Sequence, residues 1–145
     1  MIPDGARDLV LQLSFMNSFP ETLRERLADI FIEVSEVRRI RTGQLITREG
    51  GRGRNRGFIL LDGSVRIHKS DVPDSKAKPP ELLGEVMQFN PKRSRTATVT
   101  AHEKGLVLRF MWDDFWAGTK RYLTKEEQDL VRKTLEERAW EHFTA

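Results

Sequence analysis

The chain has 145 residues, of which 38% are hydrophobic and 32% are charged, a balance that fits one globular domain over residues 1–145 with its own core. It has no cysteine, which excludes disulfides, thiolate nucleophiles and cysteine-bound metal sites and fits a cytoplasmic protein. The net charge of +3 is too small a surplus to indicate a nucleic-acid surface, and no apolar run has the length of a membrane span.

Residues 1–32 are predicted to be helical. Apolar residues in 9–15 indicate a short first helix. Ser18 and Glu21 have the spacing of a capping box, with Pro20 between them, which predicts the start of a second helix. Its apolar residues recur on one face: Leu23, Leu27, Ile30 and Phe31. We therefore expect an amphipathic helix packed on the core.

Residues 34–110 are predicted to be a β-rich region of short strands separated by glycines. The predicted strands cover residues 34–41, 44–48, 56–61, 64–68, 96–101 and 105–110. Asp62-Gly63 lies between two of them and is typical of a hairpin turn. Residues 69–80 are polar and contain prolines, which predicts an exposed loop. This regular spacing favours an all-β barrel or sandwich.

The stretch 84–101 combines groups that suit a ribose phosphate. Gly84 lets the backbone approach a ligand closely, and Glu85 offers an acceptor for a hydroxyl proton. A short helical turn that ends near Phe89 would present free N–H groups to an anion. Arg95 would bind the same anion through two parallel hydrogen bonds.

Residues 111–143 are predicted to form C-terminal helices. The aromatic side chains at helical spacing predict core packing: Trp112, Phe115 and Trp116. Thr124 and Glu127 form a capping box, which predicts a long helix to about Trp140. One face of this helix carries Val131, Leu135, Arg138 and His142.

Gly84-Glu85 followed by residues 95–99 resembles the phosphate-binding cassette of cyclic nucleotide-binding domains. This family is shared by bacterial catabolite-activator regulators, protein kinase A regulatory subunits and cyclic nucleotide-gated channels. The spacing is similar to that of the bacterial regulators, and three glycines also fall where the family keeps glycines at barrel turns: Gly43, Gly50 and Gly63. The resemblance covers residues 13–140. It implies a mainly β fold with flanking α-helices, a β-roll or jelly-roll-like barrel with a C-terminal lid helix.

The resemblance also implies a ligand and its contacts. The ligand would be cAMP or cGMP, without a cofactor or metal. Gly84 and Arg95 would contact the cyclic phosphate, Glu85 the ribose 2′-hydroxyl, and Thr96 the phosphate or the base. The pocket would also include Val86 and Met87. The lid would use Val131, Leu135 and Arg138, and the same helix would serve a protein partner or a homodimer.

Two residues of this stretch depart from the family pattern. Met87 stands where a small residue is usual, and Gln88 where an apolar residue is usual. An alternative function is therefore a protein-interaction module that keeps the fold and binds no nucleotide. A DNA-binding regulator is disfavoured, because no helix-turn-helix follows the long helix in this chain.

The remaining polar clusters have ordinary structural interpretations. Residues 50–57 are rich in arginine and glycine but lack a P-loop arrangement, so we expect a solvated basic turn. Asp113 and Asp114 are adjacent, and adjacent side chains diverge on a helix. The three histidines lie far apart, without acids at metal-ligand spacing: His68, His102 and His142. No nucleophile–base set emerges from local motifs, and the resemblance implies a receptor and not an enzyme.

Overall fold

The computed structural model describes residues 2–50, 55–84, 89 and 97–144, with side chains of the last helix as far as Ala139. The helices are α1 (Ala6–Leu11), a 3-10 helix (Ser14–Ser18), α2 (Glu21–Val34), α3 (Trp112–Tyr122) and α4 (Lys125–Thr144). The strands are β1 (Ser35–Ile40), β2 (Leu45–Thr47), β3 (Arg56–His68), β4 (Ser75–Ala77), β5 (Glu81–Leu83) and β6 (Thr98–Met111). Helices therefore flank a β-rich middle, as the sequence predicts.

The described strands form one antiparallel sheet built on the pairing of β3 with β6. These strands have 13 and 14 residues, and they pair from Arg56↔Met111 to His68↔Thr98. β1 and β2 add to β6, while β4 and β5 add to β3. The mainly β architecture is confirmed. The pairs among the described residues form an open sheet that does not close into a barrel.

The prediction of a hairpin turn at Asp62-Gly63 is wrong. Both halves of β3 pair with β6, and the register shifts between Leu60 and Val65 mark a bulged bend. Gly63 has φ 87°, which glycine adopts without steric cost. A Cβ on Gly105 would lie only 1.9 Å from the Asp62 carbonyl oxygen. The Asp-Gly pair therefore serves a close crossing of two long strands, and distant pairing overrides its local turn preference.

Three shorter predictions are corrected. The first helix covers Ala6–Leu11 and is followed by the 3-10 helix, not one helix over residues 9–15. Ser18 ends that 3-10 helix, and Pro20 occupies the N-cap of α2 without a side-chain cap bond. The predicted loop 69–80 contains β4, because Ala77 and Ser75 pair with Val65 and Ile67. The pairing of β4 with β3 is a long-range contact, and no local pattern in the sequence indicates it.

The sheet buries apolar side chains on both faces. The helix-side core contains a cluster of buried aromatic residues: Phe31, Phe110, Trp112 and Phe115. Within it Phe31 stacks on Phe115 with ring centroids 4.5 Å apart. The sheet-side core contains Ile40, Phe58, Leu60, Val65, Leu83, Val99, Ala101 and Val107. Each fully buried large side chain of this kind stabilises the fold by roughly 1.5–3 kcal/mol. The predicted packing of the aromatic α3 is confirmed.

The capping box at the start of α4 is confirmed. The Thr124 N–H donates to Glu127 Oε1 at 2.9 Å, and the Glu127 N–H donates to Thr124 Oγ1 at 3.2 Å. The bond from the Thr124 backbone lowers the pKa of the Glu127 carboxyl, with the Arg26 guanidinium adding to the effect. Among the described helices, none is both long and apolar enough to cross a membrane.

The strand crossing predicts a steep cost for one methyl group. Gly105→Ala should lower the free energy of unfolding by at least about 3 kcal/mol, because the new Cβ would overlap backbone that cannot move aside. Gly43→Ala is the control, since Gly43 has φ 85° but no atom lies within 4 Å of the position that its Cβ would take, so only about 1–2 kcal/mol of backbone strain is expected. Urea unfolding measures both losses, and equal losses would contradict the close crossing.

Candidate functional site

The predicted nucleotide site is framed by the end of β5 and the start of β6. Of the predicted ligand residues, Gly84 is described, and the others lie outside the described residues: Glu85, Val86, Met87, Arg95 and Thr96. Gln88 also lies outside them. The described residues on either side therefore define how the segment 84–97 is held.

The entrance to this segment is held by β5. Leu82 packs in the helix-side core and Leu83 in the sheet-side core, so these two adjacent side chains hold β5 to both cores. Leu83 pairs with Phe58 of β3. Gly84 follows at once with φ 90°, a conformation that side chains other than glycine rarely adopt. The backbone thus turns sharply at the residue predicted to contact a phosphate.

The exit of the segment is held by hydrogen bonds from β2 and the residues after it. Thr47 Oγ1 donates to the Ala97 carbonyl at 3.1 Å, and the Glu49 N–H donates to Thr98 Oγ1 at 2.9 Å. The Glu49 carboxylate accepts from the backbone N–H of Ser70 at 2.9 Å and from its hydroxyl. These bonds from Ser70 lower the pKa of Glu49. β6 is therefore anchored at its first residue, Thr98, three positions after Arg95 in the sequence.

A row of aromatic and cationic contacts joins the middle of the segment to the C-terminal helices. Phe89 lies edge-on to Trp116 of α3, with centroids 6.5 Å apart. The guanidinium of Arg132, on α4, lies over the Trp116 ring at 4.3 Å from its centroid. A cation at that distance from an indole face is attracted by about 0.5–2 kcal/mol. Trp116 therefore contacts both the segment and the last helix.

Arg138 connects α4 directly to β5. Its Nη2 forms an ion pair with Glu81 and donates to the Leu82 carbonyl at 3.1 Å. The Arg138 side chain is 13% exposed and that of Glu81 is 30% exposed, so water screens this pair only partly. Of the residues predicted to form the lid, Arg138 thus reaches the strand that leads into Gly84.

The other two predicted lid residues lie in the core. Val131 and Leu135 are completely buried and belong to the helix-side core, where α4 packs near the 3-10 helix. Sequence reasoning missed the partners that matter here: Glu81, Trp116 and Arg132. Glu81 could have been found from its position three residues before Gly84. The contact of Trp116 with Arg132 joins two helices and leaves no periodic signal in the sequence.

Two charged side chains away from this segment, His68 and Arg109, have acidic partners. His68 Nδ1 lies 2.7 Å from Asp74 Oδ1, and this bond raises the pKa of His68. No local spacing in the sequence indicates this pair. Arg109 binds Glu36 in a groove of about 360 Å³. The groove is lined by Glu33–Glu36, Arg56, Arg109–Met111 and Asp114. Within the described parts of the chain, no group of histidine and acidic side chains is arranged to hold a metal ion.

Residues 37–122 match the family model of the cyclic nucleotide-binding domain. No curated protein sequence matches the chain. The structure is similar to the catabolite activator protein of Thermus thermophilus, at 19% identity and TM-score 0.66, over 90% of this chain and 58% of that one.

Two further solved structures are similar. The N-terminal domain of a transcriptional regulator from Streptomyces coelicolor has 20% identity and a TM-score of 0.68, over 95% of this chain and 96% of that one. The regulatory domain of Toxoplasma gondii PKA, crystallised with cAMP, has 22% identity and a TM-score of 0.62, over 91% of this chain and 49% of that one. At these identities the likeness concerns the fold.

The contact between α4 and β5 predicts a specific loss of stability. Arg138→Ala should lower the free energy of unfolding by about 1–3 kcal/mol, because Glu81 and the Leu82 carbonyl lose their charged donor. Lys133→Ala removes an exposed cation from the same helix and should change stability by less than about 0.5 kcal/mol. Urea unfolding compares the two variants. Equal stability would show that Arg138 does not fasten the helix.

Proposed function

Because the chain belongs to the cyclic nucleotide-binding domain family, we propose that it is a receptor for cAMP or cGMP, with a regulatory and not a catalytic role. The observation that carries this proposal is the family match over residues 37–122, which includes the whole segment between β5 and β6. The absence of cysteine supports action in a reducing compartment such as the cytoplasm.

The ligand contacts in this proposal follow the chemistry of the segment. The Gly84 backbone and the Arg95 guanidinium hold the cyclic phosphate, and Thr96 contributes a hydroxyl beside it. Glu85 accepts the hydrogen bond of the ribose 2′-hydroxyl, while Val86 and Met87 form the wall of the pocket. The φ of 90° at Gly84 supports this assignment, because that conformation favours glycine, whose lack of a side chain lets a ligand approach the backbone closely. Met87 is then accommodated beside the ligand.

We further propose that ligand binding is transmitted to α4. Arg138 joins α4 to the strand entering the segment, and Arg132 joins it through Trp116 to Phe89 within the segment. Any rearrangement of the segment around a phosphate therefore acts on contacts that hold α4. The nucleotide changes the position of α4 only to the extent that it binds one arrangement more tightly than another.

Arg95 provides the test of the binding function. A cyclic phosphate carries one negative charge, and a charge-assisted bond from a guanidinium contributes roughly 1.5–3 kcal/mol. Arg95→Ala should weaken binding by roughly 2–4 kcal/mol, which is about 30- to 1,000-fold. Arg95→Lys should recover only part of this loss, because an ammonium keeps the charge without the two parallel donors.

The measurement is calorimetric titration with cAMP and with cGMP at one salt concentration, on variants whose melting confirms that they are folded. Lys92→Ala and Arg93→Ala serve as charge-matched controls, each expected to cost about 1 kcal/mol or less. Arg95→Ala that binds as tightly as the wild type would remove Arg95 from the site. A folded wild-type chain that binds neither nucleotide would favour the protein-interaction module instead.

A further inference from the structure

A line of exposed side chains crosses the sheet on the side away from the sheet-side core. The register places Leu45 of β2 opposite Thr100 of β6, Thr100 opposite Arg66 of β3, and Arg66 opposite Lys76 of β4. Leu45, Arg66 and Lys76 are exposed. With neighbouring strands about 4.8 Å apart, the line is about 14 Å long. We call these residues the basic row.

The basic row places two cations directly opposite each other. Arg66 and Lys76 are cross-strand partners, and like charges in that position destabilise a sheet. Lys76 Nζ also lies 3.3 Å from His102 Nε2. Among the described residues, no ion pair includes Arg66 or Lys76. The carboxylates of Asp74 and Glu103 are bonded to His68 and Ser64. The positive charge of the row is therefore not neutralised within the described part of the chain.

The other end of the basic row is apolar. Leu45 is 45% exposed, the largest exposed fraction among the exposed large hydrophobic residues of the described chain. An exposed leucine beside cations offers an apolar contact together with charge complementarity to an acidic segment. Sites for single-stranded nucleic acids combine cations, which contact the phosphates, with aromatic side chains, on which the bases stack. The basic row has no aromatic member. These features favour an acidic polypeptide over a nucleic acid.

We propose that the basic row docks an acidic segment of a partner protein. An extended peptide rises about 3.4 Å per residue and every second side chain lies on the same face, so acidic residues two and four positions after an apolar one lie about 7 and 14 Å from it, within reach of the long Arg66 and Lys76 side chains. The apolar residue contacts Leu45, and the carboxylates pair with Arg66 and Lys76. Arg66 alternates with Val65 and Ile67, which belong to or pack against the sheet-side core, so the docking surface lies on the opposite face.

The test uses a synthetic peptide with one leucine followed by four glutamates, titrated into the 145-residue chain and followed by amide chemical shifts. Saturable shifts should appear along β2, β3 and β4 and weaken as salt rises. Lys76→Glu should weaken binding about tenfold, and Leu45→Ser about three- to fivefold. Lys133→Glu makes the same change of net charge on the exposed face of α4 and should weaken binding less than twofold.

A second readout separates docking from a structural role. Lys76→Glu replaces a like-charge pair with an opposite-charge pair, so its Tm should rise by about 1–3 °C while peptide binding falls. A lower Tm would contradict the strain assigned to the row. Equal losses for Lys76→Glu and Lys133→Glu, or no saturable peptide binding, would overturn the docking surface. Equal binding of an oligothymidylate of the same charge would overturn the acidic polypeptide as the partner.

Discussion

The pairing of β3 with β6 is the constraint on which the rest of the described structure depends. Every other described strand pairs with one of these two, and both core layers are built on their side chains. The two strands bend together where Gly63 and Gly105 let the backbones approach. The same pairing fixes the candidate site, because β5, which precedes the segment, pairs with β3, and β6 follows the segment in the chain. Both ends of the segment 84–97 are thus fixed to one strand pair.

The last helix is attached to the same region by polar and aromatic contacts. Val131 and Leu135 hold α4 in the helix-side core, whereas Arg138 and Arg132 reach toward the segment. The polar contacts are each worth about 1–3 kcal/mol or less, which is the size of a typical coupling free energy between two sites. Contacts of that strength have the size that the proposed coupling between the ligand and α4 requires.

Local chemistry made parts of the structure predictable. The Thr124–Glu127 capping box and the spacing of Trp112, Phe115 and Trp116 are short-range features, and both predictions are confirmed. The hairpin predicted at Asp62-Gly63 does not form, because the local turn preference is overridden by the long-range pairing of β3 with β6. The Arg138–Glu81 pair joins residues 57 positions apart and follows no period. For the site, the order of Gly84, Glu85 and Arg95 predicts the ligand class. The contacts that connect the segment and β5 to α4 join residues far apart in the sequence, so only the structure shows them.

Hydrogen exchange of the α4 backbone, with and without saturating cAMP or cGMP, tests the central claim most directly. The amides of residues 130–138 should exchange more slowly in the bound chain, because the proposed coupling connects the segment to the helix through Arg132 and Arg138. Amides of β4, which contacts neither the segment nor α4 through any described bond, serve as the internal reference. Unchanged exchange along α4, with binding demonstrated in the same sample, would contradict the coupling and leave only a nucleotide pocket.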